Sequence, residues 1–334
     1  MKKLSFLDKL VYLINSLFAA LLLLSFVLPY VSPKNIPFLA ILSLFVPILL
    51  LINIVFAIYW LVKLKKQVLL STAVLVLGGF VATPFFKISE NNSSLNSDLK
   101  IMSFNVKAFD LFSKNKTLKN NGYAFIKKQE PDIFVAQEFY KSPKRIIKNY
   151  KYKYHKLKGN YGLVIYSKYK IINEGSLDFE KTNNNAIFVD VLKDKDTIRI
   201  YNVHFESLRI KPNEENFGES NSEKLLARVG NSFKEQVKQT ELFLAHEKKW
   251  KGKKIICGDF NNTAYSWMYK QLSNNKKDAF IESGKGFGKS FDYWFPMRID
   301  FILTDKSSII NQFKTYSVDY SDHFPIMAKV NWSN

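Results

Sequence analysis

Three long apolar runs without a charged residue precede residue 87, and they limit that part of the chain to helices in an apolar medium. Leu10–Tyr30 is long enough as a helix to cross a hydrocarbon core of about 30 Å. Pro29 stands at its end and Pro33 just after, and Ile36–Val62 is a second run, with Pro47 inside it. Proline is better tolerated in a membrane helix than in a soluble one. Tyr59 and Trp60 stand just before Lys63, Lys65 and Lys66, an aromatic and basic pairing that membrane interfaces favour. Val68–Phe86 reads as a third span, with Gly78, Gly79 and Pro84 towards its far end. Leu10–Tyr30 exceeds a signal-peptide core in length and shows no small-x-small cleavage site. The sequence therefore predicts a multi-pass protein of the cytoplasmic (inner) membrane, in contact with the lipid bilayer through residues 10–86. Lysines cluster before the first run and between the second and third, while the intervening loop holds only Lys34. By the positive-inside rule, three crossings place everything after Phe86 outside the cytoplasm.

Charge then bears on partners. Residues 1–86 contribute +6 of the chain's net +20, leaving +14 on residues 87–334. A region this basic suits anionic partners: nucleic acid, phosphorylated small molecules or anionic lipid surfaces. A lysine-rich, merely soluble surface accounts for the same charge. The single cysteine, Cys257, lies between apolar residues of a strand and reads as a buried, inert thiol.

After a polar linker, residues 87–97, strand patterns outnumber helix patterns. Asp98–Val106 alternates and ends near Asn105. A helical stretch, Leu118–Gln129, stops at Pro131, and the short strand Ile133–Ala136 leads into Gln137 and Glu138. Residues 152–157 and 162–167 read as a hairpin, and Ala186–Leu192 with Thr197–Phe205 as another pair. A polar loop, Ser207–Ser222, precedes a helix predicted from Ser222 to Trp250. Lys253–Asn262 is an apolar strand that Gly258 breaks, delivering Asp259, Asn261 and Asn262 at its tip. A helix is expected from about Ala264. Arg298–Thr304 is a strand carrying Asp300, and Asp322 and His323 stand at the mouth of the last strand. The pattern predicts an α/β or α+β sandwich of two packed sheets with outer helices.

Taken singly, each polar strand end has an ordinary explanation. The tip at Asp259 reads equally as an Asx-rich turn, Glu138 as the start of a helix, and His204 as a hydrogen-bonded core histidine. Asp300 inside an apolar strand is harder to explain, because a buried carboxylate costs several kcal/mol unless it is paired or binds metal. Oxygen donors without a cysteine set suit a hard cation, Mg²⁺ or Mn²⁺. Two histidines and several carboxylates supply acid, base and orienting groups for hydrolysis of a phosphate ester.

The ordered set FNV (Phe104–Val106), QE (Gln137, Glu138), NVH (Asn202–His204), GDFN (Gly258–Asn261), RIDFI (Arg298–Ile302) and SDHFP (Ser321–Pro325) resembles the endonuclease/exonuclease/phosphatase superfamily. The resemblance spans about residues 98–331 and none of the apolar part. It implies a deoxyribonuclease-I-like four-layer sandwich over residues 98–334, with two mainly antiparallel sheets, and a Mg²⁺-dependent phosphoesterase activity. Position by position, Glu138 matches the metal-binding glutamate, and Asn105 the asparagine near metal and phosphate. Asp259 and Asn261 match the pair that handles the attacking water and the scissile phosphate. His204 matches the histidine that contacts phosphate. His323 matches the essential histidine, oriented by Asp300 or by Asp322, and Asp322 also stands as a metal ligand. Arg298 is assigned to substrate phosphate. Where some nucleases of the family carry an acidic residue two positions after the first asparagine, this chain has Lys107, which removes one metal ligand. The substrate is then a phosphate ester of nucleic acid or of a lipid headgroup. The aromatic run Tyr293–Phe295 reads as a substrate wall, a lipid-facing rim or core. A catalytically silent binding module on the same fold is the alternative.

Overall fold

The computed structural model describes residues 4–91, 93, 95, 98–110, 116–141, 147, 149–209 and 219–332. Pro212 and Gly218 of the expected polar loop, and part of the expected linker, lie outside these. The chain groups into two compact units. One gathers Met1–Phe85, Arg209–Val237 and Thr263–Lys270, and the other gathers Phe86–Leu208, Lys238–Asn262 and Gln271–Asn334.

In the first unit the apolar runs form helices α1 (Phe6–Val27), a short α2 (Pro37–Ala40), α3 (Leu42–Val62) and α4 (Val68–Val81). Two helical stretches, Phe6–Tyr30 and Leu42–Val62, are long and apolar enough to cross a membrane. Val68–Val81 is not. Its 14 residues reach only about 21 Å at ~1.5 Å per residue. The helix unwinds at Ala82, which is extended, after Gly78 and Gly79 and ahead of Pro84. Glycine and the residue before a proline both disfavour helix, so the expected third span is corrected to a short apolar helix. Two crossings would return the chain to the side on which it began, so the three-crossing argument for an extracytoplasmic placement no longer applies.

An ion pair, Lys63 Nζ with Asp8 Oδ1 at 2.5 Å, and a set of buried amides join these helices. Asn15 Nδ2 donates to Ser71 Oγ at 2.6 Å, Ser71 Oγ to Asn53 Oδ1 at 3.2 Å, and Trp60 Nε1 to Asn15 Oδ1 at 2.9 Å. All four residues are fully buried. Interhelical hydrogen bonds of this kind replace a hydrophobic driving force where the surroundings are themselves apolar. The same unit seats Tyr265 in a cluster with Ala19, Leu22, Phe26, Val46, Leu49 and Val74. Thr263 Oγ1 donates to the Ser43 carbonyl at 3.0 Å, and Thr83 Oγ1 to that of Ala264 at 3.1 Å. The helix expected from Ala264 begins at Trp267, because residues 263–266 form a turn in which Ser266 accepts from the Tyr269 N–H.

The second unit contains two six-stranded mixed sheets. Its strands are β1 (Leu99–Asn105), β2 (Ile133–Tyr140), β3 (Tyr152–Lys158), β4 (Tyr161–Ser167), β5 (Lys170–Ser176), β6 (Asn185–Lys193), β7 (Asp196–His204), β8 (Lys253–Asp259), β9 (Lys276–Asp278), β10 (Asp300–Asp305), β11 (Ser308–Thr315) and β12 (Ile326–Trp332). One sheet runs β11-β12-β1-β2-β4-β3 and the other β5-β6-β7-β8-β10-β9. Each has a single parallel pair, β1 with β2 and β7 with β8, among antiparallel neighbours. Among the described residues the further α-helices are α5 (Lys116–Gln129), α6 (Glu219–Glu247), α7 (Trp267–Ser273) and α8 (Ala279–Ser283).

Strand alternation sorts the side chains into layers. Leu99, Ile101, Ile133, Val135 and Ile165 of one sheet pack with Ile187, Val189, Ile200, Ile255 and Cys257 of the other. On the outer face of the first sheet, Met102, Phe104, Phe134 and Ala136 meet Phe109 and Ile126. Cys257 is buried in the inner layer, as its setting in the sequence predicts, and burial pushes its thiol pKa far up.

Candidate active site

Strand register lines up the polar tips. His204 ends β7, Asp259 ends β8, and Asp300 begins β10. His204 pairs with Asp259 and Asp259 with Asp300, so the three lie in one row across the second sheet. In the first sheet Asn105 is level with Gln137, one residue before Glu138. Gln137 Nε2 donates to Asn202 Oδ1 at 2.6 Å, and Asn202 Nδ2 donates to the carbonyls of Ala136 and Val164 at 2.9 Å. Both side chains are fully buried. Gln137 and Asn202 thus tie the two sheets together directly behind the site. They lie inside the QE and NVH motifs, but nothing in the local sequence marks them as a pair.

Backbone geometry aims the tips. Gly258 has φ +142°, and a Cβ there would lie 2.0 Å from the Val203 carbonyl oxygen. Only glycine lets β8 approach β7 this closely before Asp259. Glu138 has φ +49° at an irregularity in the pairing of β2 with β4, between Ala136 and Phe139. A bulge of this kind re-aims a side chain, and the Glu138 carboxylate is 43% exposed.

These devices converge on Asp259, which is 1% exposed. Its Oδ2 accepts from Asn105 Nδ2 at 2.9 Å, and its Oδ1 from the Asn261 N–H at 2.7 Å. Asn105 Nδ2 also donates to Glu138 Oε1 at 3.2 Å. His204 Nε2 stands 3.6 Å and His323 Nε2 3.7 Å from Asp259 Oδ2. Asn261, with φ +51°, fastens its Nδ2 on the Phe205 carbonyl at 2.9 Å.

Asp300, not Asp322, orients the catalytic-type histidine. His323 Nδ1 lies 2.9 Å from Asp300 Oδ2, and both residues are buried. Burial opposes a charged imidazole, but the carboxylates of Asp300 and Asp259 outweigh it and raise the His323 pKa to about 10. Burial raises Asp300 in turn, against the pull of His323, to about 6. At neutral pH the pair is therefore a carboxylate and an imidazolium whose Nε2–H is directed towards the Asp259 side. The backbone N–H groups of Ile299 and Asp300 donate to Ser290 Oγ, both at 3.0 Å, which fixes the strand entry.

Two assignments change. The Arg298 guanidinium is buried rather than turned to a substrate. It pairs with Asp278 Oδ2 at 2.6 Å and lies over the rings of Phe280 and Phe301 at 4.7 and 4.6 Å. The Asp322 carboxylate lies on Lys107 Nζ at 2.7 Å, away from the His323 ring nitrogen that Asp300 occupies. Of the aromatic run, Phe295 is core while Trp294 is 75% exposed. Phe291, ahead of the run, stacks edge-on to His323 with centroids 5.0 Å apart.

Asp259, Asp300 and His323 offer ligand atoms within 4.8 Å of one another. Two carboxylates and an imidazole at this spacing fit a metal ion as well as a proton relay. Glu138 fits a cation: its side chain is 43% exposed, with His204 Nε2 3.9 Å from Oε1. Its carboxylate offers a hard cation the oxygen ligands such ions prefer.

The model of the endonuclease/exonuclease/phosphatase family matches residues 102–323. A second model, a domain of unknown function (DUF8431), matches residues 8–85. No curated protein matches the chain. Among solved structures, D. rerio TDP2 complexed with single strand DNA product is 18% identical with a TM-score of 0.53, covering 71% of this chain and 100% of that one. The human Nocturnin catalytic domain with bound sulfate is 14% identical, TM-score 0.53, over 72% of this chain and 97% of its own. An endonuclease/exonuclease/phosphatase from Bacteroides vulgatus is 18% identical, TM-score 0.51, over 71% and 99%. At such identities the likeness is one of fold. The family model covers well over half of the chain, from the strand of Asn105 to His323, and this chain belongs to the endonuclease/exonuclease/phosphatase family.

Proposed function

We propose that residues 98–334 form a metal-assisted phosphoesterase carried by a membrane anchor, hydrolysing a phosphodiester or phosphomonoester through in-line attack of water. The observation that carries this reading is the convergence of Asn105, His204 and the Asp300-bound His323 on the buried carboxylate Asp259, with Glu138 held beside them by Asn105. Asp259 accepts a proton from the attacking water, its position set by Asn105 and by the Asn261 N–H. The imidazolium of His323 donates from Nε2 to a phosphoryl or leaving-group oxygen, and His204 donates beside it. Such preorganised donors act where charge develops. Glu138 would hold Mg²⁺ or Mn²⁺, which would supply Lewis-acid neutralisation of a phosphate oxygen, while Asn105 positions the Glu138 carboxylate. Asp300 keeps His323 charged and in one orientation, and Asn261 is a second phosphate-side group.

Exposed apolar faces support the membrane anchor: Phe6, Leu13, Leu17, Val55 and Val62 are each more than half exposed on the two long helices. A multi-pass anchor with its apolar face in lipid accounts for them. For the substrate, the +14 charge of residues 87–334 favours a polyanion. The single strand DNA product held by D. rerio TDP2 supports a nucleic acid, and the anchor supports a lipid headgroup.

The test is hydrolysis by the full chain in detergent, with a generic phosphodiester and then a panel of DNA, RNA, phospholipid and sphingomyelin, with and without EDTA. We expect divalent-dependent turnover that falls at least about 100-fold in Glu138→Ala and in His323→Ala. No turnover in the whole panel, or turnover that survives both substitutions, would make the fold a silent binding module.

A further inference from the structure

Lys107 sits in costly backbone. Lys107, Ala108 and Phe109 follow one another at φ 40°, 55° and 49°. The left-handed region costs non-glycine residues about 1–2 kcal/mol each. The Phe109 ring holds the run in place. It is 2% exposed, 5.9 Å from Phe104 and 4.5 Å from Tyr123 between centroids, and packed where a Cβ on Gly122 would come within 2.5 Å of it. The Phe109 N–H donates to the Val106 carbonyl, and the Lys107 N–H to Asn105 Oδ1 at 3.2 Å.

The run delivers the Lys107 ammonium to Asp322 at 2.7 Å, with the two side chains 50% and 37% exposed. An ion pair this open contributes at most about 1 kcal/mol, too little to account for three strained residues. Both partners are also tied to the site. Ser321 Oγ donates to the Asn105 carbonyl at 2.8 Å and accepts from the His323 N–H at 3.2 Å. The Asp292 N–H donates to the Asp322 carbonyl at 2.8 Å. Lys107 thus follows Asn105 by two residues and Asp322 directly precedes His323, the two groups that the proposed reaction sets against phosphate.

We propose that Lys107 and Asp322 form an exchangeable charge gate: the ammonium rests on Asp322 in the free protein and transfers to a substrate phosphate oxygen on binding, while Asp322 is displaced by repulsion. Lys107 then binds substrate where a further metal ligand would otherwise stand. The inference rests on the phosphoesterase reading of the site.

Full-length protein in detergent tests it, with inorganic phosphate as the probe. Its affinity is read by calorimetry and by competition against phosphodiester turnover, and thermal unfolding checks each variant. Lys107→Gln should weaken phosphate about 3- to 10-fold, and Lys107→Arg should restore most of it. Asp322→Asn should tighten phosphate by a similar factor, and that gain should vanish in the Lys107→Gln background. The non-additivity is the signature, because a merely structural ion pair would leave phosphate affinity unmoved in all of these. The gate is overturned if Lys107→Gln binds phosphate within twofold of wild type, or if Asp322→Asn tightens it equally with and without Lys107. Wild-type turnover with such results removes the gate alone. Wild type that neither binds phosphate nor turns over substrate removes both readings.

Discussion

At the scale of single residues, the buried Asp300–His323 pair sets the pH dependence. With Asp300 near 6 and His323 near 10, the competent carboxylate–imidazolium form exists between those values. Lowering the pH through about 6 protonates Asp300 and removes the charge that holds His323. Raising it through about 10 takes the proton that His323 donates. A kcat/KM profile should therefore fall on the acid side near pH 6 and on the alkaline side near pH 10, as properties of the pair rather than of either residue. Asp300→Asn should bring the alkaline limb down towards neutrality and lower kcat about 10²- to 10⁴-fold. Arg298 belongs to stability. Arg298→Ala leaves Asp278 buried without its partner and should cost about 3–5 kcal/mol in denaturant unfolding, with kcat/KM per folded molecule near wild type. The motif RIDFI drew attention to Arg298 and Asp300 alike. Only packing against Phe280 and Phe301 separates the structural residue from the site residue.

At the scale of elements, β8 shows what periodicity makes legible. An apolar run ended by glycine and Asp259 reads as a strand with a functional tip, and Gly258 carries a geometric demand that makes the reading strict. Gly258→Ala forces a Cβ to 2.0 Å from the Val203 carbonyl, so the β7–β8 pairing must open. We expect a loss of at least about 3 kcal/mol in stability and displacement of Asp259, seen as a kcat reduction in whatever fraction folds. β5, β9 and β11 were less legible. Their burial is partial or their length short, and edge strands of that kind lack a strong alternating signature. The positive φ of Glu138 was not legible at all, because a bulge depends on how β2 pairs with β4 rather than on local composition.

At the scale of the molecule, the apolar amino-terminal helices are more than a tether. The unit they form includes Thr263–Lys270, and Tyr265 is buried among α1, α3 and α4. A chain cut before residue 87 therefore exposes a surface that the full chain covers. A fragment of residues 87–334 should be less stable and more prone to aggregate than the full chain in detergent, by unfolding midpoint and light scattering. In the full chain Tyr265→Ala should cost about 2–4 kcal/mol through the cavity left in the bundle. Fractionation checks the anchor: the full chain should stay with membranes through alkaline carbonate and leave them only with detergent.

Composition and order alone determined the division into an apolar helical part and a strand-rich part. They also determined the six short motifs and the strand tips that carry them, because burial periodicity and turn chemistry are local properties. The number of helices long enough to cross a membrane needed the structure, since Val68–Phe86 is uncharged throughout and only its backbone shows where the helix stops. So did the partners of the ionisable groups. Asp300 and Asp322 are equally plausible partners for His323 in sequence, and the fold gave His323 to Asp300 and left Asp322 for Lys107. A side chain's chemistry is written in its identity, but its partner is set by residues distant in the chain that folding brings within 3 Å.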